Sequence, residues 1–563
     1  MKEDLNLSLF DEAEFEERAD YIDKQNLLKW TATSKHHNNI QKKLIQVGAK
    51  LIVGPRGTGK THQMRLAYFD CKNDIQKPLP LYVTFNHYLR LETYLHESSN
   101  AIDIFHAWVL AKIVFACEED YGVFLENVDF TSKDLKNFII NIEKQKYSQE
   151  HTRIISGLSL NDVKNLIEKA ILKNDRKRAI LFLDDAALTF TNDYMIEFFD
   201  IFRSLKTIKI SPKASVYPGT TQYGPRFHVG QDAEKVPIWM SVEDSDYLQF
   251  MDTIVSTRFG NSLDIDQDMR ELLMYAAFGI PRTYIMFLRS YIDSDRNKPQ
   301  SKFNAIITEK CSNIINEYRS IAQKMPQYNI IINIGDELIS IIVNTIKAFN
   351  HKKIDESGHN YKKNIVIGIE SIDNKAERMI KFLIEAGILY AEDDISHGSD
   401  RKIRRFIPHL ALLIKERALI KSRGFNVSDF LRILKGSSEK HPVRKKFARL
   451  LSQDKINSIA LDLPPCSNCQ TPRIVDGQRF CHICGTILLD SSIFKNCMST
   501  KLLDLPLTEF QKKVISKTKY LTIEDVLTSD NTAAELKKVK GVGVKYSERI
   551  IKKINEWTNE FLY

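Results

Sequence analysis

Eight residues near the amino end constrain this chain more than any others. Gly54-Pro55-Arg56-Gly57-Thr58-Gly59-Lys60-Thr61 fits the pattern G-x-x-x-x-G-K-[ST] and lies between the apolar run Leu51-Ile52-Val53 and a helical pattern. Glycines at this spacing let the backbone curl until its N–H groups converge on a phosphate chain at the positive end of the next helix. Lys60 then supplies a point charge for the β- and γ-phosphates, and the Thr61 hydroxyl is placed to ligate Mg²⁺.

The surrounding residues predict a sheet that can present such a loop. Leu51-Ile52-Val53, Leu81-Tyr82-Val83 and Ile180-Leu181-Phe182-Leu183 are short apolar runs separated by amphipathic helical patterns, as in buried parallel strands covered on both faces. The last run ends in Asp184-Asp185, at the carboxyl end of its strand, where ligands bind in α/β sheets. Asp184 is the expected second metal ligand, and Asp185 the group that orients or deprotonates an attacking water. From about residue 245 to 325 the apolar spacing becomes helical, which reads as a lid over the α/β core.

The carboxy-terminal half reads as a series of smaller modules. Asp336 to Phe349 and Asn374 to Ile384 have helical patterns, and Ile388 to Ile407 reads as a β-hairpin with the polar tip Ser396-His397-Gly398-Ser399. Helix, helix, hairpin is the order of a winged helix. From His397 to Leu450 there are 15 Lys and Arg against 4 Asp and Glu, the steepest charge excess in the chain. Cys466-Ser467-Asn468-Cys469 and Cys481-His482-Ile483-Cys484 form two knuckles whose four thiolates can close a structural Zn²⁺ site with no open position. Gly541-Val542-Gly543 with Lys545 resembles a helix-hairpin-helix, whose turn offers backbone N–H groups to a phosphate without reading the base.

Composition narrows the alternatives. A chain of 563 residues is too long for one core, and 43% hydrophobic with 27% charged residues excludes a mainly disordered polymer. Lys plus Arg (81) exceeds Asp plus Glu (72) by only 9, so the distribution of charge matters more than its sum. No long uncharged apolar stretch points to a membrane, and four scattered plus four clustered cysteines fit a reduced, cytoplasmic compartment rather than a disulfide framework.

Over residues 45–290 the chain resembles the AAA+ and STAND group of P-loop ATPases, most closely the Orc/Cdc6-like branch. The resemblance implies ATP as the nucleotide and assigns a sensor role to the tip Gly219-Thr220-Thr221-Gln222, with Thr221 at the reacting phosphate. It also assigns Phe278-Gly279-Ile280-Pro281-Arg282 to the lid motif that brings Arg282 to the γ-phosphate. Asp185 departs from the usual Glu by one methylene, which implies slow hydrolysis.

The fold class expected is therefore α/β: a P-loop NTPase parallel sheet with a helical lid, then winged-helix, zinc-ribbon and helix-hairpin-helix modules. The boundaries expected are 1–44 for a helical extension, 45–240 for the ATPase core and 241–328 for the lid. The winged helix and basic region then take 329–460, the zinc ribbon 461–495 and the last module 496–563. The expected function is a DNA-associated ATP switch with little sequence preference, in phage defence or a mobile element, working as an oligomer or with an effector protein. The rival expectation is a nucleotide-locked signalling scaffold that recruits a protein or RNA.

Overall fold

Strand β1 (Lys50–Val53) carries the glycine-rich loop with four residues and is flanked by a strand on each side. In a computed structural model of the chain it pairs in parallel with β4 (Ile210–Val216) and β5 (Glu234–Pro237). Strand β2 (Leu79–Thr84) pairs in parallel with β3 (Ala179–Asp184), which pairs with β4, giving the order β2-β3-β4-β1-β5. The structure describes residues 19, 22–85, 91, 94–95, 98, 100–126, 128–144, 146–185, 192–260, 263, 265–358, 361–397, 401–421, 427–474, 478, 480–486, 488, 497–505, 507–529 and 531–562. The first 18 residues of the expected amino-terminal extension and the hairpin tip at 398–400 lie outside them.

The strand sequences explain the two covered faces. Side chains alternate across a strand, and Ile52, Ile180 and Phe182 pack with Ile40, Leu44, Met64 and Ala67 from the helices Lys35–Ile45 and Lys60–Asn73. Leu51, Leu181 and Leu183 face the other way, against a larger cluster that includes Trp108, Phe198 and Leu166. Those residues come from helices Ala101–Tyr121, Asn192–Leu205 and Leu160–Lys173. The sheet is parallel, so β1 and β3 release their following loops at the same edge. They are separated only by β4, about 10 Å at the usual strand spacing.

The segment expected to form a lid consists of helices Tyr247–Phe259, Gln267–Ala277, Pro281–Ile292 and Pro299–Lys324. The expected helix at 336–349 is longer, Asn329–Ser357. By composition the segment Pro326–Ser357 is long and apolar enough to cross a membrane, but half of its most apolar window is buried inside the protein. It is a core helix here, with Leu338, Ile342 and Ile346 in the same cluster as the lid.

Strand β6 (Ile367–Glu370), helix Glu377–Glu385, and the hairpin strands β7 (Leu389–His397) and β8 (Arg401–Pro408) follow, with β9 (Val443–Lys446) as a further edge strand. The sheet order is β7-β8-β6-β9, antiparallel except for the β6–β9 pair. Apart from Ala32, one continuous apolar cluster runs from Trp239 to Ile459 and joins the helices of 247–324 to the β6–β9 region. The carboxy-terminal residues Leu502, Ile523, Leu536 and Ile550 instead join the cluster on the large helical face of the five-stranded sheet.

Phe382 sits where these units meet, fully buried, with its ring 5.0 Å from Tyr328. Phe382→Ala is expected to remove about 3–5 kcal/mol and to move the lid and winged helix together in one calorimetric transition. A lid transition left in place while the winged helix shifts would contradict a shared core.

Candidate functional site

The loop leaving β1 needs its glycines for two separate reasons. Gly57 and Gly59 have φ of 80° and 89°, in the left-handed region that side chains disfavour. Gly54 is excluded from larger residues by contact, since a Cβ there would lie 2.6 Å from Ile238 Cγ2. The Thr58 hydroxyl donates to the Pro55 carbonyl at 2.8 Å and ties the loop across itself. Arg56 lies over the Tyr217 ring at 5.9 Å, and Thr61 is half-buried in the first turn of the helix that Lys60 opens.

Lys60 is buried, and its Nζ donates to the carbonyls of Gly54 at 2.7 Å and Pro55 at 3.0 Å. The same ammonium lies 3.8 Å from the centre of the Tyr217 ring, within cation–π range. Burial pushes Lys60 down to about 7, against the opposing pull of Asp185, Asp184 and Glu385. The two acids at the carboxyl end of β3 are thus brought near the loop lysine. Asp184 is buried, and its Oδ2 accepts from the Tyr82 hydroxyl at 2.6 Å. Asp185 takes φ 55°, and its amide donates to Asp184 Oδ1 at 3.0 Å and Ser215 Oγ at 2.9 Å, which turns the chain out of the sheet.

The tip after β4 is held from two directions. Thr221 Oγ1 accepts from the Tyr217 amide at 2.9 Å, so this hydroxyl closes the turn. The amides of Gly219 and Thr220 donate to Glu385 Oε2 at 2.8 and 2.7 Å, and the Thr220 hydroxyl donates to Oε1 at 2.9 Å. Glu385 is the last residue of helix Glu377–Glu385, in the region expected to be a winged helix. Burial raises its carboxyl, opposed by these three donors and by Arg56. Gly219 is required there, since a Cβ would meet Phe382 backbone at 2.8 Å.

The lid reaches the loop through Arg282, whose amide lies 3.4 Å from the Gly57 carbonyl. A Cβ on Gly57 would come within 2.9 Å of Arg282 Cβ, so loop and lid fit only around a glycine. Arg282 Nε is buried without a hydrogen-bond partner. An orphan guanidinium donor, a buried ammonium and two carboxylates at the end of β3 are the donor set that a triphosphate with Mg²⁺ requires. Arg258, in contrast, lies over Trp30 at 5.2 Å, and Arg226 is exposed near Asp200.

Sequence patterns missed Tyr217 and Glu385. The first follows β4 directly, at the edge where the loop emerges, and that position could have drawn attention to it. Nothing local marks the second.

The four cysteines converge. Their sulfurs lie within 4.8 Å of one another, with Cys466–Cys484 and Cys469–Cys481 at 3.4 Å. A tetrahedral Zn²⁺ with bonds of about 2.3 Å sets sulfurs about 3.8 Å apart, so the set fits. The knuckles repeat each other: Cys466 N donates to Thr471 O and Cys481 N to Thr486 O, with left-handed φ at Gln470 and Gly485.

In the last module Gly541 has φ 92°, and Ser547 N donates to Gly543 O at the start of helix Val544–Leu562. A Cβ on Gly541 or Gly543 would meet nothing within 4 Å, so that face of the turn is open. Lys545 lies in the helix's first turn, and its side chain is outside the described residues.

No protein-family model matches the chain, and no curated protein matches it. Among solved structures it is similar to the Walker-type ATPase PABY2304 of Pyrococcus abyssi, at 11% identity and TM-score 0.37, covering 68% of this chain and 95% of that one. It is also similar to the Aeropyrum pernix Orc1 protein in complex with DNA, at 14% identity and TM-score 0.28, covering 70% of this chain and 95% of that one.

The lysine gives a pH prediction. Lys60 stands at about 7, and a phosphate beside it favours the charged form and raises that value. Nucleotide binding should therefore take up a proton above about pH 7, and affinity should fall as pH rises further. Calorimetry at about pH 8 in buffers of different ionisation heat reads this uptake. Heats independent of buffer would contradict it.

Proposed function

We propose that the chain binds ATP·Mg²⁺ in the loop opening at Gly54, hydrolyses it slowly, and uses it to switch a DNA-associating carboxy-terminal half. The observation that carries this reading is the Glu385 contact: a winged-helix carboxylate receives three hydrogen bonds from the tip beside the loop lysine. Bound nucleotide would place further negative charge near that buried carboxylate, so the two halves respond to one electrostatic event.

In this reading Lys60 and the loop amides hold the phosphates, and Thr61 and Asp184 hold Mg²⁺. Bound Mg²⁺ supplies charge neutralisation at the phosphate oxygens. Asp185 orients the attacking water, Arg282 carries lid position to the γ-phosphate, and Thr221 keeps the tip in register. Four cysteinates hold Zn²⁺ as a structural clip, and Gly541, Gly543 and Lys545 contribute phosphate contacts without reading sequence. Oligomerisation and an effector partner remain part of the proposal through the resemblance to Orc/Cdc6-like ATPases.

Steady-state turnover and nucleotide binding, each with and without duplex DNA, test the assignment. Lys60→Ala should weaken ATP binding by about 100-fold or more, whereas Asp185→Asn should retain binding and lose about 10–100-fold in turnover. Glu385→Gln should keep binding but lessen the effect of DNA on turnover. Equal loss of binding at Lys60 and Asp185, or an unchanged DNA effect at Glu385, would contradict these roles.

Metal analysis provides an independent check on the zinc clip. The purified chain should carry one zinc, and Cys466→Ser should release it while leaving ATP binding intact. A zinc-free chain with an unchanged melting profile would remove the clip from the account.

A further inference from the structure

The cations that make residues 397–450 the most basic stretch are not equally available. Lys402, Arg404, Arg405, Lys421, Arg432 and Lys435 are each paired with a carboxylate: Asp394, Glu377, Glu392, Asp355, Asp429 and Glu271 in turn. The hairpin β7–β8, which the sequence order reads as the wing of a winged helix, therefore spends its described cations on internal acids. Arg401 and Arg423 have side chains outside the described residues.

Among the described residues Lys415 and Arg417 are also exposed without an ion pair, but the unpaired charge is densest elsewhere. Lys440, Arg444, Lys445, Lys446 and Arg449 fall within ten residues, and among the described residues none has a carboxylate within salt-bridge distance. Three of these lie on β9, the open edge of the winged-helix sheet. Arg444 and Lys446 are two residues apart on the strand and both exposed, so they share one face about 6.6 Å apart. Arg449 is exposed just beyond, while Phe447 and Leu450 turn inward and anchor the strip.

We infer that this strip, Lys440 to Arg449, is the main contact of the winged-helix region with a nucleic-acid phosphate backbone. The inference rests on the DNA-associated reading above and adds where the contact lies. Two observations favour nucleic acid over a protein partner. The strip has five cations and no acid of its own, which suits a strand carrying one charge per 3.4 Å. It also lacks an apolar anchor: among the described residues no large hydrophobic side chain between Ile292 and Ile474 is exposed, whereas protein interfaces centre on such groups.

The strip is rigidly connected to the nucleotide side. Just ahead of β9, the Ser438 hydroxyl donates to Glu243 at 2.7 Å, and Lys363 joins Glu243 to the carbonyls of Leu434 and Gly436. Glu243 lies at the entry to the lid, four residues before helix Tyr247–Phe259. Movement of the lid thus carries the strip with it.

The test uses the full chain and a labelled duplex of random sequence, with affinity measured by anisotropy over about 50–200 mM salt. Arg444→Ala/Lys446→Ala/Arg449→Ala removes three exposed cations. Each phosphate contact contributes about 0.9 to the slope of log affinity against log salt, so the slope should fall by about 2–3 and affinity at least about tenfold. Lys402→Ala/Arg405→Ala, in the paired wing, should change the slope by less than about 1.

Wild-type binding with an unchanged triple variant would overturn the strip while leaving the DNA reading in place. A larger loss in the wing variant would do the same. Loss of poly-glutamate binding with unchanged duplex binding would reassign the strip to an acidic protein. No duplex binding by the wild-type chain at any salt would overturn the DNA reading itself, and the strip with it. Melting curves of both variants establish that the fold is retained.

Discussion

A carboxylate buried between two domains must be satisfied or it destabilises both. Glu385 is satisfied by donors that belong to the other domain: two backbone amides and a hydroxyl at Gly219 and Thr220. The tip cannot move away without leaving an unpaired buried charge, and the winged helix cannot move without orphaning two amides. The contact therefore ties the two segments to each other in this structure.

Around that contact the glycine-rich loop, the helices from Tyr247 to Lys324 and the helix Glu377–Glu385 hold one another in place. Lys60 rests on Tyr217, whose amide is fixed by Thr221, and the tip next to it is fixed by Glu385. On the other side Arg282 lies against Gly57, and the lid shares its apolar core with the winged helix. The loop therefore meets the carboxy-terminal half through two sets of contacts, one at the tip and one at Arg282. Both end in the same rigid cluster, so neither set needs a flexible linker.

Much of this was legible in the residues, and the exceptions have a common cause. The strands carrying Leu51–Val53 and Ile180–Leu183, the loop and the cysteine knuckles are local patterns whose chemistry depends on neighbours in sequence. They appear where periodicity and spacing put them, although the helix expected at 336–349 runs from Asn329 to Ser357 because Ile331, Ile332 and Ile334 extend its buried side. Glu385 was not legible, because its partners are more than 160 residues away. The same holds for the wing: Arg404 and Arg405 look like free charges in a basic run, and only the fold shows Glu377 and Glu392 beside them. Charge density is written in the sequence, but charge availability is set by tertiary pairing.

Hydrogen exchange at the tip (residues 217–222), whose amides donate to Glu385, and at the helix end that carries Glu385 (residues 377–386) tests the central claim most directly. The account predicts that adding Mg²⁺ and a slowly hydrolysed ATP analogue changes exchange in both segments together, and that ADP gives a different, again shared, pattern. Exchange that responds in the loop alone, with the Glu385 segment unchanged in every nucleotide state, would contradict it.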